Sequence, residues 1–445
     1  ASVNAHQWFG LVSNFEHKIN ENLTFSIGAD VRDYTGLHFR QIIDLLGANH
    51  FLDTRHERYP NNQISATYEA DPWAALSDYA AEEERYAWDY NERITYAGLF
   101  GQLEYVNDDL SAYVQGSVSH QSHVRTDRYQ YTEADEESET VTNPGYNIKG
   151  GLNYNINDNH GVFVNAGIYS RQPYHDTLYL NFQNTVNEVA ENEDITGLEL
   201  GYRFRSDVFD ANINIYRTAW QNRTETRSVF AGDTVTVGEE MFAFDPNGDD
   251  GFLNSTNINQ LHSGIELDFS TRLTSNLKLR GYLSAGSWEF EGVSKSDLYD
   301  ADRNLLASAD ALDLDGIKVG GAAQTSWGLG IMWDITRYFD MYADYNYYNN
   351  LYGNSSPFST APAILLPDYG VLDLGVGYRH LMDNGDVIRL RANVYNVLDE
   401  EYIAYSRNNN AASADPSENW NGVNKSNSVA WGMGTTWNVS LRYSF

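Results

Sequence analysis

A chain of 445 residues with 62 acidic against 29 basic side chains carries a formal charge of -33, which excludes nucleic acid as a partner on electrostatic grounds. It has no cysteine, which removes disulfides, thiolate chemistry and Cys-ligated metals. No apolar run is long enough for a membrane helix, yet 35 Gly, 32 Tyr and 10 Trp are what strands between an apolar and a polar medium use.

From the N-terminus onward, period-two runs bounded by turn residues recur to the last residue. They predict an all-β fold of about fifteen strands, the first over residues 8–18, with helical spacing nowhere sustained. The junctions alternate in length. Short ones fall at Asn20-Glu-Asn22, Asn107-Asp-Asp109, Asn157-Asp-Asn-His160, Asp207-Val-Phe209, Thr274-Ser-Asn276, Thr336-Arg-Tyr338 and Asp383-Asn-Gly385. Asn, Asp and Gly tolerate the left-handed backbone of tight hairpins, so most of these are turns with a mechanism. Long, polar, acidic connections are predicted over 35–92, 126–144, 170–193, 222–257, 290–320, 350–367 and 403–427.

Within the strands the sorting is strict. Ile148, Gly150, Leu152, Tyr154 and Ile156 oppose Asn147, Lys149, Gly151, Asn153 and Asn155; Leu198, Leu200, Tyr202 and Phe204 oppose Glu199, Gly201, Arg203 and Arg205. Ile265, Leu267 and Phe269 oppose Glu266, Asp268 and Ser270, while Leu372, Leu374, Val376 and Tyr378 oppose Asp373, Gly375, Gly377 and Arg379. Trp431 to Phe445 alternates in the same way to the last residue. Because a Lys or Arg facing lipid near the midplane costs roughly 2–4 kcal/mol, this sorting fits a transmembrane antiparallel β-barrel with short periplasmic turns and long extracellular loops. A sandwich with its polar face in bulk water shows the same alternation.

Several segments resemble the barrel of TonB-dependent outer-membrane receptors. Asn393-Val-Tyr-Asn-Val-Leu-Asp-Glu-Glu-Tyr402 is similar to the family's penultimate-strand pattern, and Trp437-Asn-Val-Ser-Leu-Arg-Tyr-Ser-Phe445 to its closing strand. Ile168-Tyr-Ser-Arg-Gln-Pro-Tyr174, Gly197-Leu-Glu-Leu-Gly-Tyr202 and His262-Ser-Gly-Ile-Glu-Leu-Asp268 resemble mid-barrel segments in the same order. The resemblance implies a barrel of about 22 strands, of which residues 1–445 are the C-terminal portion, the plug and early strands lying outside this sequence. It further implies active import of a bulky nutrient (siderophore, haem, cobalamin, oligosaccharide or peptide) across a Gram-negative outer membrane. The partners it implies are outer-membrane lipid, the TonB complex acting through a plug, and in some cases a surface lipoprotein. A passive diffusion porin and a soluble carbohydrate-binding β-protein are the rival readings.

No Gly-x-Ser-x-Gly elbow, phosphate loop or His-Glu-x-x-His helix is present, so the chain is not expected to be an enzyme and no cofactor is implied. His120 and His123, three apart on a strand, belong on opposite faces. Asp245-Pro-Asn-Gly-Asp-Asp-Gly251 sets Asp245, Asn247 and Asp249 at alternate positions, as a Ca²⁺ loop would, although an acidic turn uses the same residues. Ligand contacts are expected from aromatic and arginine side chains at the loop ends: Tyr129, Tyr131, Arg171, Tyr174, Trp220, Trp288, Tyr348, Tyr352 and Trp420.

Overall fold

Fifteen long strands pair antiparallel, each with its sequence neighbour, in a single curved wall. The computed structural model describes residues 1–71, 73, 79–238, 240–301, 303–354, 356–358 and 361–445. The wall strands are β1 (Ser2–Lys18), β2 (Leu23–Arg40), β3 (Asp89–Val106), β4 (Leu110–Asp127) and β5 (Val141–Asn155). They continue as β6 (His160–Arg171), β7 (Glu193–Arg205), β8 (Phe209–Val229), β9 (Gly251–Thr274) and β10 (Leu277–Glu291). The last five are β11 (Ala323–Asp334), β12 (Phe339–Leu351), β13 (Tyr369–Leu381), β14 (Val387–Tyr395) and β15 (Thr436–Ser444). A hairpin, Val293–Tyr299 with Leu305–Asp313, adds two strands by pairing onto the loop end of β9, so the sheet holds 17. Among the described residues β1 and β15 are the two free edges of the fifteen-strand wall.

The short turns form where expected and share one device. Asn20 Oδ1 accepts from the amides of Asn22 and Leu23, Asn107 Oδ1 from Asp109 and Leu110, and Asn157 Oδ1 from Asn159 and His160. Thr336 Oγ1 does the same for Tyr338 and Phe339. A side-chain oxygen thus satisfies amides that a tight reversal would otherwise leave orphaned. Turn asparagines also stitch neighbouring hairpins, as Asn22 Nδ2 donates to Val106 O at 2.7 Å and Asn159 Nδ2 to Arg205 O at 2.6 Å.

One face of the wall is apolar and open: Ile27, Leu99, Val118, Ile148, Leu200, Ile215, Val376 and Leu441 are all exposed on it. Its short-turn margin carries ring against ring, with Phe209 between Phe204 and Phe269, and Phe339 beside Tyr378. Glu199, Arg203, Asp268, Asp373 and Arg442 stand on the other face, as the register requires. The buried apolar clusters lie elsewhere, among the long loops: Val229, Val235, Val237, Leu253 and Leu298 in one, Leu351, Leu366, Ile403 and Val423 in another. Burial therefore fastens the loops together, while the wall is held by its ladders and by the medium against its apolar face.

On the polar face, glycine on a middle strand lets side chains from both flanking strands meet above it. Arg280 and Asp344 pair at 2.8 Å across Gly330, Arg391 and Asp340 across Gly377, and Tyr342 donates to Asn393 Oδ1 at 3.1 Å across Gly375. A Cβ at Gly330 would collide with both members of its pair.

Three expectations need correction. The wall strands run further into the long connections than predicted, β8 to Val229 and β9 from Gly251, so the predicted connection 222–257 shrinks to 230–250. The first strand starts at Ser2 rather than residue 8, because it pairs with β2 along its whole length. The closing strand starts at Thr436, not Trp431. Residues Val429–Trp431 pair with Ile403–Ser406 above the wall, and Trp431 packs edge-on against Trp420 at 4.5 Å, so its place in the alternation is coincidental. Helical spacing is absent from the wall, but a single helical turn, His175–Leu178, forms in a loop.

Asn396 explains the penultimate-strand motif. It is 5% exposed, takes φ of 50°, and exchanges hydrogen bonds with Glu400 (Oδ1 from its amide at 2.9 Å, Nδ2 to its carbonyl at 3.0 Å) while also donating to Met433 O. Asp399 receives the Thr435 amide, so the motif ties the end of β14 to the start of β15. Asn396→Ala should cost about 1–3 kcal/mol by orphaning these buried groups. The temperature at which the folded form is lost on an unheated-versus-heated gel should fall, and an unchanged midpoint would count against this role.

Candidate functional site

Strands β6 to β10 carry, on the polar face at the long-loop end, a continuous run of rings and one guanidinium. The Arg171 guanidinium lies 4.6 Å from the Tyr174 ring and 6.0 Å from that of Trp220. Trp220 neighbours His262 at 6.4 Å, and His262 stacks on Trp288 at 5.4 Å and 18°. Trp288 Nε1 donates to the Tyr216 hydroxyl at 3.0 Å. Register makes this run: Trp220, Gln260 and Phe290 face one another across three strands, as do Thr218, His262 and Trp288, so alternate positions raise aromatic side chains from one surface.

Polar partners fix the run from beside it. Arg171 Nη2 donates to Glu193 Oε1 at 2.7 Å and Nη1 to the Tyr174 hydroxyl at 3.0 Å. Two donors are left over, for Arg171 Nε and Trp220 Nε1 are buried and find no hydrogen-bond partner among the described residues. A depression of about 340 Å³ opens between Tyr174, Asp176, Glu193, Arg223 and Glu225, two of which, Tyr174 and Glu193, hold the Arg171 guanidinium. Flat rings, two unsatisfied donors and bordering carboxylates can stack a ring-bearing ligand and donate to its oxygens.

The nine expected contact residues divide. Arg171, Tyr174, Trp220 and Trp288 come together in this run, joined by Tyr216 and His262, which sequence reading missed: period two from Trp220 leads to Tyr216, whereas His262 is brought in by strand register alone. Tyr348 lies apart, stacked on Tyr369 at 5.0 Å, which stacks on Tyr402 at 4.0 Å. Tyr129 is 4% exposed with its hydroxyl on both Asp53 oxygens at 3.0 Å, and Tyr131 accepts from the Asn184 amide, so both pack loops together. Trp420 packs on the second loop cluster, and Tyr352 bridges Leu365 by its backbone. In the acidic loop, Asp245 Oδ1 accepts from the Asn247 amide at 2.9 Å, the bonding of a turn, and Asp250 Oδ1 accepts from the Ala231 amide across the loop at 2.8 Å. Among the described residues no group of three His, Cys, Asp or Glu side chains is set to hold a metal ion.

His120 and His123 do fall on opposite faces, and His123 has a role that spacing did not show. The loop 172–192 dips onto the wall, bringing His175 Nδ1 to 3.3 Å from His123 Nδ1. Tyr179 donates to His123 O at 2.9 Å and Glu139 O at 3.0 Å, locking the segment down beside the buried Arg125–Asp127 pair. Burial, reinforced by His123, Arg125 and His38, pushes His175 down to about 3. A histidine held below its unfolded value near 6.5 gives stability that is complete above that value and lost as pH falls toward about 3. Amide exchange across 172–182, corrected for its intrinsic rate, should therefore rise as pH drops from about 7 to about 4. His175→Gln should flatten part of that rise, and a flat profile in the unaltered protein would contradict this locking role.

Similarity to known proteins matches this architecture. Residues 2–397 match the family model described as TonB dependent receptor-like, beta-barrel. Among solved structures, the chain is similar to the copper transporter OprC, with 14% identity and a TM-score of 0.63 over 100% of this chain and 57% of that one. It is also similar to the ferric-catecholate import receptor Fiu from K12 E. coli (12%, TM-score 0.58, 99% of this chain and 54% of that one). The ferric yersiniabactin uptake receptor FyuA from Yersinia pestis gives 12%, 0.58, 100% and 55%. The chain thus spans little more than half the length of these structures. Among curated proteins none matches. The match over most of the sequence and the fifteen-strand wall lead to one conclusion: this chain belongs to the TonB-dependent receptor β-barrel family.

Proposed function

We propose that this chain forms most of the wall of an outer-membrane importer that takes up a bulky nutrient with energy delivered by TonB through a plug. Family membership supports the transport class, and the apolar outer face supports the outer membrane as its site. The ligand reading rests on the run from Tyr174 to Tyr216, and above all on the unpartnered buried donors of Trp220 and Arg171. Stacked rings select a ligand with flat or ring-shaped apolar faces, and orphan donors select one rich in oxygen acceptors. The charge of -33 and the carboxylates of Glu193 and Glu225 beside the run weigh against a polyanionic chelate. An oligosaccharide or a peptide fits these terms, captured at the loop end and delivered without chemistry on this chain.

Intrinsic fluorescence of the receptor in detergent, titrated with oligosaccharide and peptide mixtures, tests the ligand class. Trp220→Ala and Trp288→Ala should each weaken binding by about tenfold, as loss of a stacking face and a donor predicts. Undiminished affinity in both variants would move the ligand away from this face. Separately, uptake in cells lacking TonB should stop. Persistence at the same rate would instead favour a passive channel.

A further inference from the structure

Toward the long loops β8 loses one of its two neighbours. It pairs with β9 up to Val229, but with β7 only as far as Gln221 against Asp194. Among the described residues no strand pairs with the other side of 222–229, so a row of backbone donors and acceptors is left open there. The chain that precedes β7 does not cover this edge, because its turn His175–Leu178 is held down against β4 by the contacts of His175 and Tyr179 with His123. A depression of about 340 Å³ lies along the edge: residues 223–228 line it without a break, together with Tyr174, Asp176, Phe182 and Glu193. Most of its charges are already matched, since Glu193 holds Arg171 and Glu225 holds Arg223, each at 2.7 Å. Asp176 and Arg227 are left over. Neither makes an ion pair or side-chain hydrogen bond among the described residues, and the Arg227 guanidinium lies 5.2 Å from the Phe358 ring. Phe182 adds an exposed ring on a backbone with φ of 56°, a region that bulky residues seldom occupy.

We propose that the open edge of β8 takes a short extended peptide, which adds to the sheet as a strand, sets its ammonium group against Asp176 and its carboxylate against Arg227, and rests side chains on Tyr174 and Phe182. Such a peptide falls within the ligand class proposed for the importer, and its capture here rests on that reading. Two features favour a peptide over an oligosaccharide. A strand edge repeats its donors and acceptors at about 3.3 Å per residue, a spacing that a peptide backbone matches and a chain of sugar rings does not. Residues 223–228 give an edge of about 20 Å, room for about four to six residues of ligand. Opposite charges left over in one recess also suit a zwitterion, whose two ends carry that same pair, whereas a neutral glycan engages neither as an ion. Main-chain pairing would supply affinity for many sequences, and the rings would select among alternate side chains.

The test uses the full-length receptor in detergent and a random tetrapeptide library, with bound peptides identified by mass spectrometry after gel filtration. The tightest binder is then resynthesised in two forms, methylated on one or the other alternate set of backbone nitrogens. Only alternate N–H groups of an added strand point at the edge, so one form should bind about tenfold more weakly than the other. Acetylating the amino end should cost about tenfold against the unaltered receptor and nothing further against Asp176→Asn; amidating the carboxyl end should do the same with Arg227→Gln. A heat-shifted band on a gel reports folding of both variants. Should either not fold, the two methylated forms carry the test on the unaltered receptor. A library that leaves the receptor empty, or methylated forms that bind equally, would overturn the proposed strand addition. TonB dependence separates the two ideas. Oligosaccharide imported with TonB, beside no bound peptide, sinks the peptide edge alone; bound peptide whose uptake persists without TonB sinks the energised importer alone.

Discussion

A strand surrounded by hydrocarbon has no water to satisfy its amides and carbonyls, so every hydrogen bond must come from a neighbour in the same sheet. That requirement sets the shape of this chain. It explains why fifteen strands pair in sequence order through side-chain-capped turns, and why the apolar residues that would form a core in water face outward instead. The strictness of the sorting follows, since a one-residue slip would carry Arg203 or Asp373 to the lipid side and Leu200 or Leu374 to the lumen.

Freed from making a core, the inner face can hold an unusual density of polar and aromatic groups. Its glycines are the enabling device. Where Gly330, Gly375 or Gly377 occupies a middle strand, long side chains from both sides cross it and bond, giving ties that span three strands. The same face changes character with height. Rings and orphan donors gather near the loops, while toward the short turns come the crossed ion pairs and, beside them, an unpaired arginine row. A ligand captured above would meet a different chemistry at each level below.

The loops are structured on other terms. They bury Val229, Leu298, Leu351 and Ile403 in small clusters and fold one segment down onto the wall through His175 and Tyr179. This is ordinary water-excluded packing, with neutral histidine as its pH-sensitive element, and it gives the outer vestibule a fixed form over the run from Tyr174 to Tyr216.

Period two and turn residues determined most of the wall: strand number, the faces of Glu199, Arg203 and Arg442, the turns at Asn20, Asn107 and Asn157, and the separation of His120 from His123. These are legible because alternation and Asx turns act within a few residues. Arrangement across strands was not, because register is a relation between distant segments. Only the tertiary structure set Trp220 near His262, His123 against His175, and three arginines in one row, and only it removed Trp431 from the closing strand and buried Tyr129 against Asp53. A sequence records which face a side chain takes; which side chains then share that face depends on how far each strand slides against the next.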